Sequence, residues 1–173
     1  VVLSGDRDLL QLVSADALVL TPLNGGEFKV MNRAAVTEKY SVDPDRYLDL
    51  AALRGDKSDN LPGVSGIGPV KATALIDAFG SAAEALAAAT SDPQAVDAAA
   101  GKGASAKMVA GTENLERNLK LMALCRDLDL DVGAYTPQAD VAAAGLVEAG
   151  FGSMVDKLGA VMAAMTVRDA FRG

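Results

Sequence analysis

Three glycines within six residues, Gly63, Gly66 and Gly68, followed at once by Pro69, constrain this chain more than any other feature. Neither a regular helix nor a strand runs easily through such a segment. Glycine costs about 1 kcal/mol in a helix interior, and proline lacks the N–H that either ladder uses. The segment therefore reads as a turn between helices. Upstream, Asp43-Pro44 opens the periodic run DRYLDLAALR, which Gly55 stops; downstream, PVKATALIDAF begins at Pro69 and stops at Gly80. Proline just inside a helix start and glycine just past its end is the usual asymmetry of helix termini. Within the turn, Val64 and Ile67 alternate with the glycines, as expected if their side chains anchor it in a core while its backbone faces outward.

Backbone unobstructed by side chains can approach a phosphate, and free N–H groups at a helix start can donate to its oxygens. The G-x-x-G-x-G order is not the dinucleotide fingerprint, and no Gly-Lys-Ser/Thr closes the segment as in a P-loop. A plain helix–helix connection is the competing reading, although a connector needs fewer glycines. Lys71 falls in the first turn of the helix that follows.

The rest of the chain divides into an α/β opening and a helical remainder. VVLS at 1–4, ALVLTP at 17–22 and EFKV at 27–30 read as strands. Asn24-Gly25 turns the second into the third, and a short helix is expected over Asp6 to Ser14. A β–α–β unit implies a parallel sheet, and the strand at Val1 leads us to expect further strands N-terminal to it. Asn32 is placed to cap RAAVTEKY. Ser81, with Glu84 three residues on, has capping-box spacing for SAAEALAAAT. A helix is expected around 93–100, a mobile link at Gly101-Lys102-Gly103, and an amphipathic helix from Thr112 to Asp127 with Cys125 on its apolar side. LDLDV at 128–132 reads as an edge strand, and the tail from Asp140 to Arg172 as short helices broken at Gly150, Gly152 and Gly159.

Two aspartate pairs could carry chemistry. Asp6 and Asp8 follow the first strand, where parallel sheets place ligands beyond strand ends; taken alone, the plainer reading is a helix cap and a first-turn acid. Asp56 and Asp59 are three apart, a spacing that fits one side of a tight helical turn. Carboxylates held together repel, and a divalent cation relieves that cost; a simple turn of Asp, Ser, Asn, Pro and Gly competes with this reading.

Composition narrows the chemistry. The chain has no histidine and one cysteine, which excludes a Ser–His–Asp triad, His-ligated metals and a disulfide framework. Its net charge of −7 argues against holding nucleic acid by bulk positive charge. Lys102, Lys107, Arg117, Lys120 and Arg126 form a locally basic stretch, read as a mostly solvated face. No apolar run approaches the roughly 18 residues of a membrane span and no leader precedes the first strand, so a cytoplasmic protein with no membrane partner is expected.

Taken in order, SGDRDLLQLV at 4–13, VDPDRYLDLAALRGDKSDNLPGVSGIGPVKATALI at 42–76 and, more loosely, FGSMVDKLG at 151–159 resemble the C-terminal half of the 5′-nuclease family. That family comprises the 5′→3′ exonuclease and flap endonuclease domain of bacterial DNA polymerase I and its stand-alone bacterial and phage relatives. The resemblance implies the C-terminal part of a PIN/5′-nuclease-like parallel sheet over 1–42. It further implies a helix–three-turn–helix DNA-binding region with a metal-binding loop over 43–80, and a helical C-terminal region over 81–173. It implies two divalent ions, Mg2+ or Mn2+, for which Asp6, Asp8, Asp56 and Asp59 are the ligands this half supplies. Gly63, Val64, Gly66, Ile67, Gly68 and Lys71 would grip the duplex backbone, with a monovalent cation such as K+ on the turn's carbonyls. The implied substrate is DNA with a 5′ end or flap, cut by metal-assisted hydrolysis. The family's N-terminal half, with its further carboxylates and basic residues, has no counterpart here; that half or an attached polymerase is the expected partner. The alternative is a non-catalytic duplex-binding module that uses the glycine turn alone.

Overall fold

The computed structural model describes residues 1–129, 139–150 and Val155. Val1–Asp127 form one compact unit and Leu128–Gly173 a second. In the first unit, β1 (Val2–Leu3) pairs in parallel with β2 (Val19–Pro22), and β2 pairs antiparallel with β3 (Phe28–Met31). Asn24-Gly25-Gly26 makes the tight turn between β2 and β3, as the Asn-Gly step predicts. The connection from β1 to β2 is a 3-10 helix, Asp8–Leu12, shorter and tighter than the helix expected over 6–14.

The helices follow their sequence signals closely. The Asn32 side chain accepts from Ala35 N–H at 2.9 Å and starts α1 (Arg33–Tyr40). Asp43-Pro44 opens a 3-10 turn that runs into α2 (Tyr47–Arg54). α3 (Pro69–Phe79) and α4 (Ala82–Ser91) meet at 80° across Gly80, and Ser81 caps α4 by accepting from Glu84 N–H at 3.1 Å. α5 (Pro93–Ala100), α6 (Ala104–Ala110) and α7 (Thr112–Met122) complete the unit. Its core joins Leu10, Val19 and Met31 under the sheet to Tyr47, Leu53, Leu75, Val96, Met108 and Leu115 of the helices, all at most 2% exposed. Burying each of these side chains contributes about 1.5–3 kcal/mol.

Three expectations are corrected. Residues 101–103 are not a mobile link: the Asp97 carboxylate accepts from Gly103 N–H at 2.8 Å and Ser105 N–H at 2.9 Å, pinning a turn that launches α6. These bonds hold the Asp97 carboxyl well below its usual range, to about 2. α7 ends at Met122 and not at Asp127, because the buried Gln11 amide donates to the Met122 carbonyl at 2.9 Å and Ala123 turns extended. Cys125 consequently lies beyond the helix and is exposed, not packed in the core.

In the second unit, α8 (Ala139–Glu148) is followed by a turn in which Gly150 N–H donates to Val147 O at 3.0 Å. Leu128 and Asp129 are not in a strand; the remainder of the expected edge strand, and the tail beyond Gly150 apart from Val155, lie outside the described residues. Among the described residues, no single helix is long and apolar enough to cross a membrane.

Candidate metal and nucleic-acid site

β4 (Gly55–Asp56) and β5 (Leu61–Pro62) pair antiparallel, Gly55 opposite Pro62 and Asp56 opposite Leu61. Asp56 and Asp59 therefore sit on a hairpin tip and not on the helical turn expected from their spacing. A four-residue hairpin loop and a helical turn both bring i and i+3 together, so spacing alone does not separate them.

Asp56 is 7% exposed. It accepts from Ser58 through both the hydroxyl and the N–H, the latter at 2.8 Å, and from the Arg7 guanidinium at 3.3 Å. The Ser58 hydroxyl bond foremost, with the positive charges of Arg7 and Arg54 behind it, lowers the Asp56 carboxyl below its ordinary range despite burial. At the end of β1, Asp6 accepts from Asp8 N–H at 3.0 Å in a turn that precedes the 3-10 helix, whose N-cap position is Arg7 and carries no side-chain cap, unlike the cap expected at Asp6. Asp8 responds oppositely to Asp56: burial first, then the charges of Asp6, Asp59 and Asp56, raise its carboxyl above the usual value.

Both aspartate pairs thus occupy one electrostatic neighbourhood, and Arg7 links them by its bond to Asp56 and a 3.5 Å contact to the Ser58 hydroxyl. Among the described residues, no three carboxylates stand close enough to hold one cation as they lie. A cavity of about 360 Å³ opens beside Asp56, lined by Arg7, Arg54, Gly55 and Lys57; Asp6, Asp8 and Asp59 do not line it.

From β5 the chain enters the glycine turn directly, and each glycine there has its own reason. A Cβ on Gly63 would lie 2.3 Å from the Arg54 carbonyl carbon and 2.4 Å from the Leu53 oxygen, so this glycine exists to let the turn press on the end of α2. Gly66 (φ +76°) takes the left-handed position of a turn closed by Ile67 N–H to Val64 O at 3.0 Å. A Cβ on Gly68 would meet nothing within 4 Å, and the backbone there is unstrained. Val64 and Ile67 are each 3% exposed, so they anchor the turn as the sequence implies; Val64 packs against Gly111 between α6 and α7.

Past Gly68, α3 begins with no side-chain cap. Proline at its first position has no N–H, and Val70, the next residue, is 83% exposed, so the helix start faces outward bare. The Lys71 amine lies about 4.0 Å from the position of a Gly101 Cβ, in the turn before α6. Lys107 was read from sequence as part of a solvated basic face. Its side chain instead lies across Gly66, with Nζ 3.0 Å from the position of a Cβ there. Only the fold brings residue 107 to residue 66, so no local pattern could have found it.

The model of the 5′-3′ exonuclease C-terminal SAM fold matches residues 42–142. The DNA polymerase I of Mycobacterium tuberculosis is 43% identical over 137 residues, which are 79% of this chain and 14% of that protein. The 5′-3′ exonuclease of Streptomyces coelicolor is 48% identical over 97 residues, 54% of this chain and 32% of its own length. This chain thus spans a minor part of the curated relatives it matches. Among solved structures, the T5 5′-exonuclease with bound zinc aligns at a TM-score of 0.55 and 25% identity, covering 69% of this chain and 41% of that one. A T5 flap endonuclease solved with DNA and metal ions has the same fold at a TM-score of 0.54 and 19% identity, covering 90% of this chain and 51% of the other. A mostly helical α/β unit, an aspartate-bearing hairpin and a family model covering more than half the sequence lead to one assignment: the chain belongs to the 5′-3′ exonuclease family, through its C-terminal SAM fold.

Proposed function

We propose that this chain is the DNA-gripping and part of the metal-holding portion of a structure-specific 5′-3′ exonuclease or flap endonuclease that hydrolyses DNA phosphodiester bonds in replication and repair. The observation that carries this reading is the continuity of one short segment. Asp56 and Asp59 occupy a hairpin tip, and the same hairpin leads through the glycine turn to the bare start of α3. In this reading Gly63 to Gly68 and α3 form a helix–three-turn–helix element. Its Val70 and Lys71 N–H groups donate to phosphate oxygens, Lys71 and Lys107 supply charge, and a monovalent cation such as K+ sits on the turn's carbonyls. Backbone donors ignore base identity, which suits an enzyme that selects DNA shape and explains how an acidic chain binds a polyanion.

The donor set suits hard divalent cations. Carboxylate oxygens are the ligands Mg2+ and Mn2+ prefer, and Asp8, raised first by burial and then by the charges of Asp6, Asp59 and Asp56, is within electrostatic reach of the other three. Asp6, Asp8, Asp56 and Asp59 would hold two such ions, together with carboxylates from a family-type N-terminal half. Bound there, the ions supply Lewis acidity for in-line hydrolysis of a phosphodiester. Arg7, which now neutralises Asp56, would turn toward substrate phosphate. The zinc in one T5 structure, and the DNA and metal ions in the other, accord with this chemistry.

The test is Mn2+ binding by the chain, together with cleavage of 5′-flap DNA in Mg2+ by the chain alone and with a relative's N-terminal half added. Combined Asp6→Asn and Asp56→Asn changes should abolish cleavage and weaken Mn2+ binding; unchanged cleavage would sink the assignment. A second reading, a non-catalytic duplex-binding module, is favoured by the lack of a three-carboxylate group among the described residues. It predicts salt-dependent duplex binding without metal and no cleavage in either arrangement.

A further inference from the structure

Arg54, the last residue of α2, lines two cavities at once. One is the cavity of about 360 Å³ beside Asp56. The other, about 500 Å³, lies where Lys39 and Tyr40 of α1 face Pro69 and Val70 at the bare start of α3. Arg54 therefore stands between the aspartate hairpin and the open helix terminus.

The other arginines near this region have carboxylate partners: Arg7 pairs with Asp56, Arg33 with Asp43 and Asp45, and Arg46 with Asp49. Arg54 is half-buried, yet among the described residues no carboxylate lies within ion-pair distance of it. Its one hydrogen bond is a long contact, 3.5 Å, to the carbonyl of the next residue. Asp56 cannot serve it fully, because that carboxylate is already bonded to Ser58 and Arg7. Partial burial of a cation that no carboxylate pairs directly costs stability, and the charge of Arg54 acts on Asp56 and on the Tyr47 hydroxyl without forming an ion pair. Arginine lining two open cavities offers them a planar fork of N–H donors, which suits a phosphate that it can bind through two oxygens.

We infer that Arg54 is a phosphate-binding residue that holds the backbone of a DNA strand where it passes from the start of α3 to the aspartate hairpin. The inference rests on the proposed DNA reading and adds to it a contact outside the glycine turn. It also gives the strand a direction across the surface, with cations of α1 and α2 flanking its path.

The test is duplex binding by fluorescence anisotropy in EDTA, from about 50 to 200 mM NaCl. Arg54→Gln should weaken binding about tenfold and reduce the steepness of the log–log salt dependence by about one, with melting kept within about 2 °C. Arg54→Lys, which keeps the charge at the helix end, should restore the salt slope but not the full affinity. Arg33→Gln removes the same charge from an ion-paired surface site and should leave the slope unchanged. If the wild type binds duplex and responds to Lys71→Gln while Arg54→Gln matches wild type in affinity and slope, the inference falls and the DNA reading stands. An equal effect of Arg33→Gln also overturns it, since bulk charge would then be the cause. A wild type with no duplex affinity overturns the DNA reading itself, and this inference with it.

Discussion

Asn118 is the side chain on which the geometry of the site most depends, and removing its amide tests that dependence. It is 0% exposed on the inner face of α7. Its Nδ2 donates to the Ala52 carbonyl in α2 at 3.1 Å and to the Pro62 carbonyl in β5 at 2.9 Å. One amide thus ties the last turn of α2 to the strand that enters the glycine turn. Asn118→Ala removes these two hydrogen bonds of about 1 kcal/mol each and a weaker 3.4 Å bond that its Oδ1 accepts from Arg117, and it leaves the fully buried Ala52 carbonyl without this donor. A total loss of about 2–4 kcal/mol is expected. Asn118→Asp should cost more at neutral pH, because a carboxylate would face two carbonyl oxygens. Its folded pKa would lie above the unfolded value near 3.9, so the variant regains stability as pH falls toward that value and loses it as pH rises. Urea unfolding followed by circular dichroism measures both. The control is Asn114→Ala: Asn114 reaches the Gly63 carbonyl only at 3.5 Å and is half-buried, so its loss should stay below about 0.5–1 kcal/mol. An Asn118→Ala cost below about 1 kcal/mol, or one equal to that of Asn114→Ala, would refute the idea that this amide fixes the site.

Three further outcomes follow from the same geometry. Because burial and three neighbouring carboxylates raise the Asp8 pKa above 3.8, the fold disfavours its ionised form, and stability present below that value is lost as pH rises through the raised pKa. Asp8→Asn should therefore melt higher than wild type at pH 7 in EDTA, with the gain shrinking when Mg2+ is added; a lower melting temperature in EDTA would contradict this. Gly63→Ala should cost about 3 kcal/mol or more, since its Cβ meets backbone at 2.3 Å, whereas Gly68→Ala should change urea stability by less than about 0.5 kcal/mol. If Gly68→Ala also leaves duplex affinity untouched, the start of α3 is not a phosphate site. The Tyr47 hydroxyl is buried without a hydrogen-bond partner among the described residues, and burial foremost pushes its pKa up to about 12. Tyr47→Phe should be neutral or stabilise by up to about 1 kcal/mol, and a loss beyond about 1 kcal/mol would show a partner for that hydroxyl.

What the sequence made legible were features whose cause is local. Asn32 before α1, Pro69 and Gly80 around α3, Ser81 with Glu84 at α4 and Asn24-Gly25 between β2 and β3 each act within a few residues of themselves. The misreadings have distant causes. α7 keeps an apolar spacing from Leu115 through Cys125, but Gln11, more than a hundred residues upstream, claims the Met122 carbonyl and ends the helix. α6 lies in an Ala- and Gly-rich stretch of weak periodicity, and only the Asp97 carboxylate marks where it starts. The 56–59 hairpin carries a spacing that suits a helical turn equally well, and its strand pairing and the amide of Asn118 decide against the helix.

The glycine turn shows why a motif can be recognised before its parts can be assigned. Gly63, Gly66 and Gly68 read alike in sequence, as a backbone kept clear for a phosphate. In the fold, Gly63 is small because the end of α2 presses on it, and Gly66 because the turn needs a positive φ. Only Gly68 has no internal constraint, and it is the one at the outward-facing start of α3. A residue kept small with nothing inside the protein to demand it is better evidence of an absent ligand than a residue that packing explains. Arg54 meets a related criterion from the opposite side, as a half-buried cation that no carboxylate among the described residues pairs directly. In the proposed reading, Gly68 lies at the bare start of α3 and Arg54 lines the cavities on either side of the end of α2, so a bound strand would meet both.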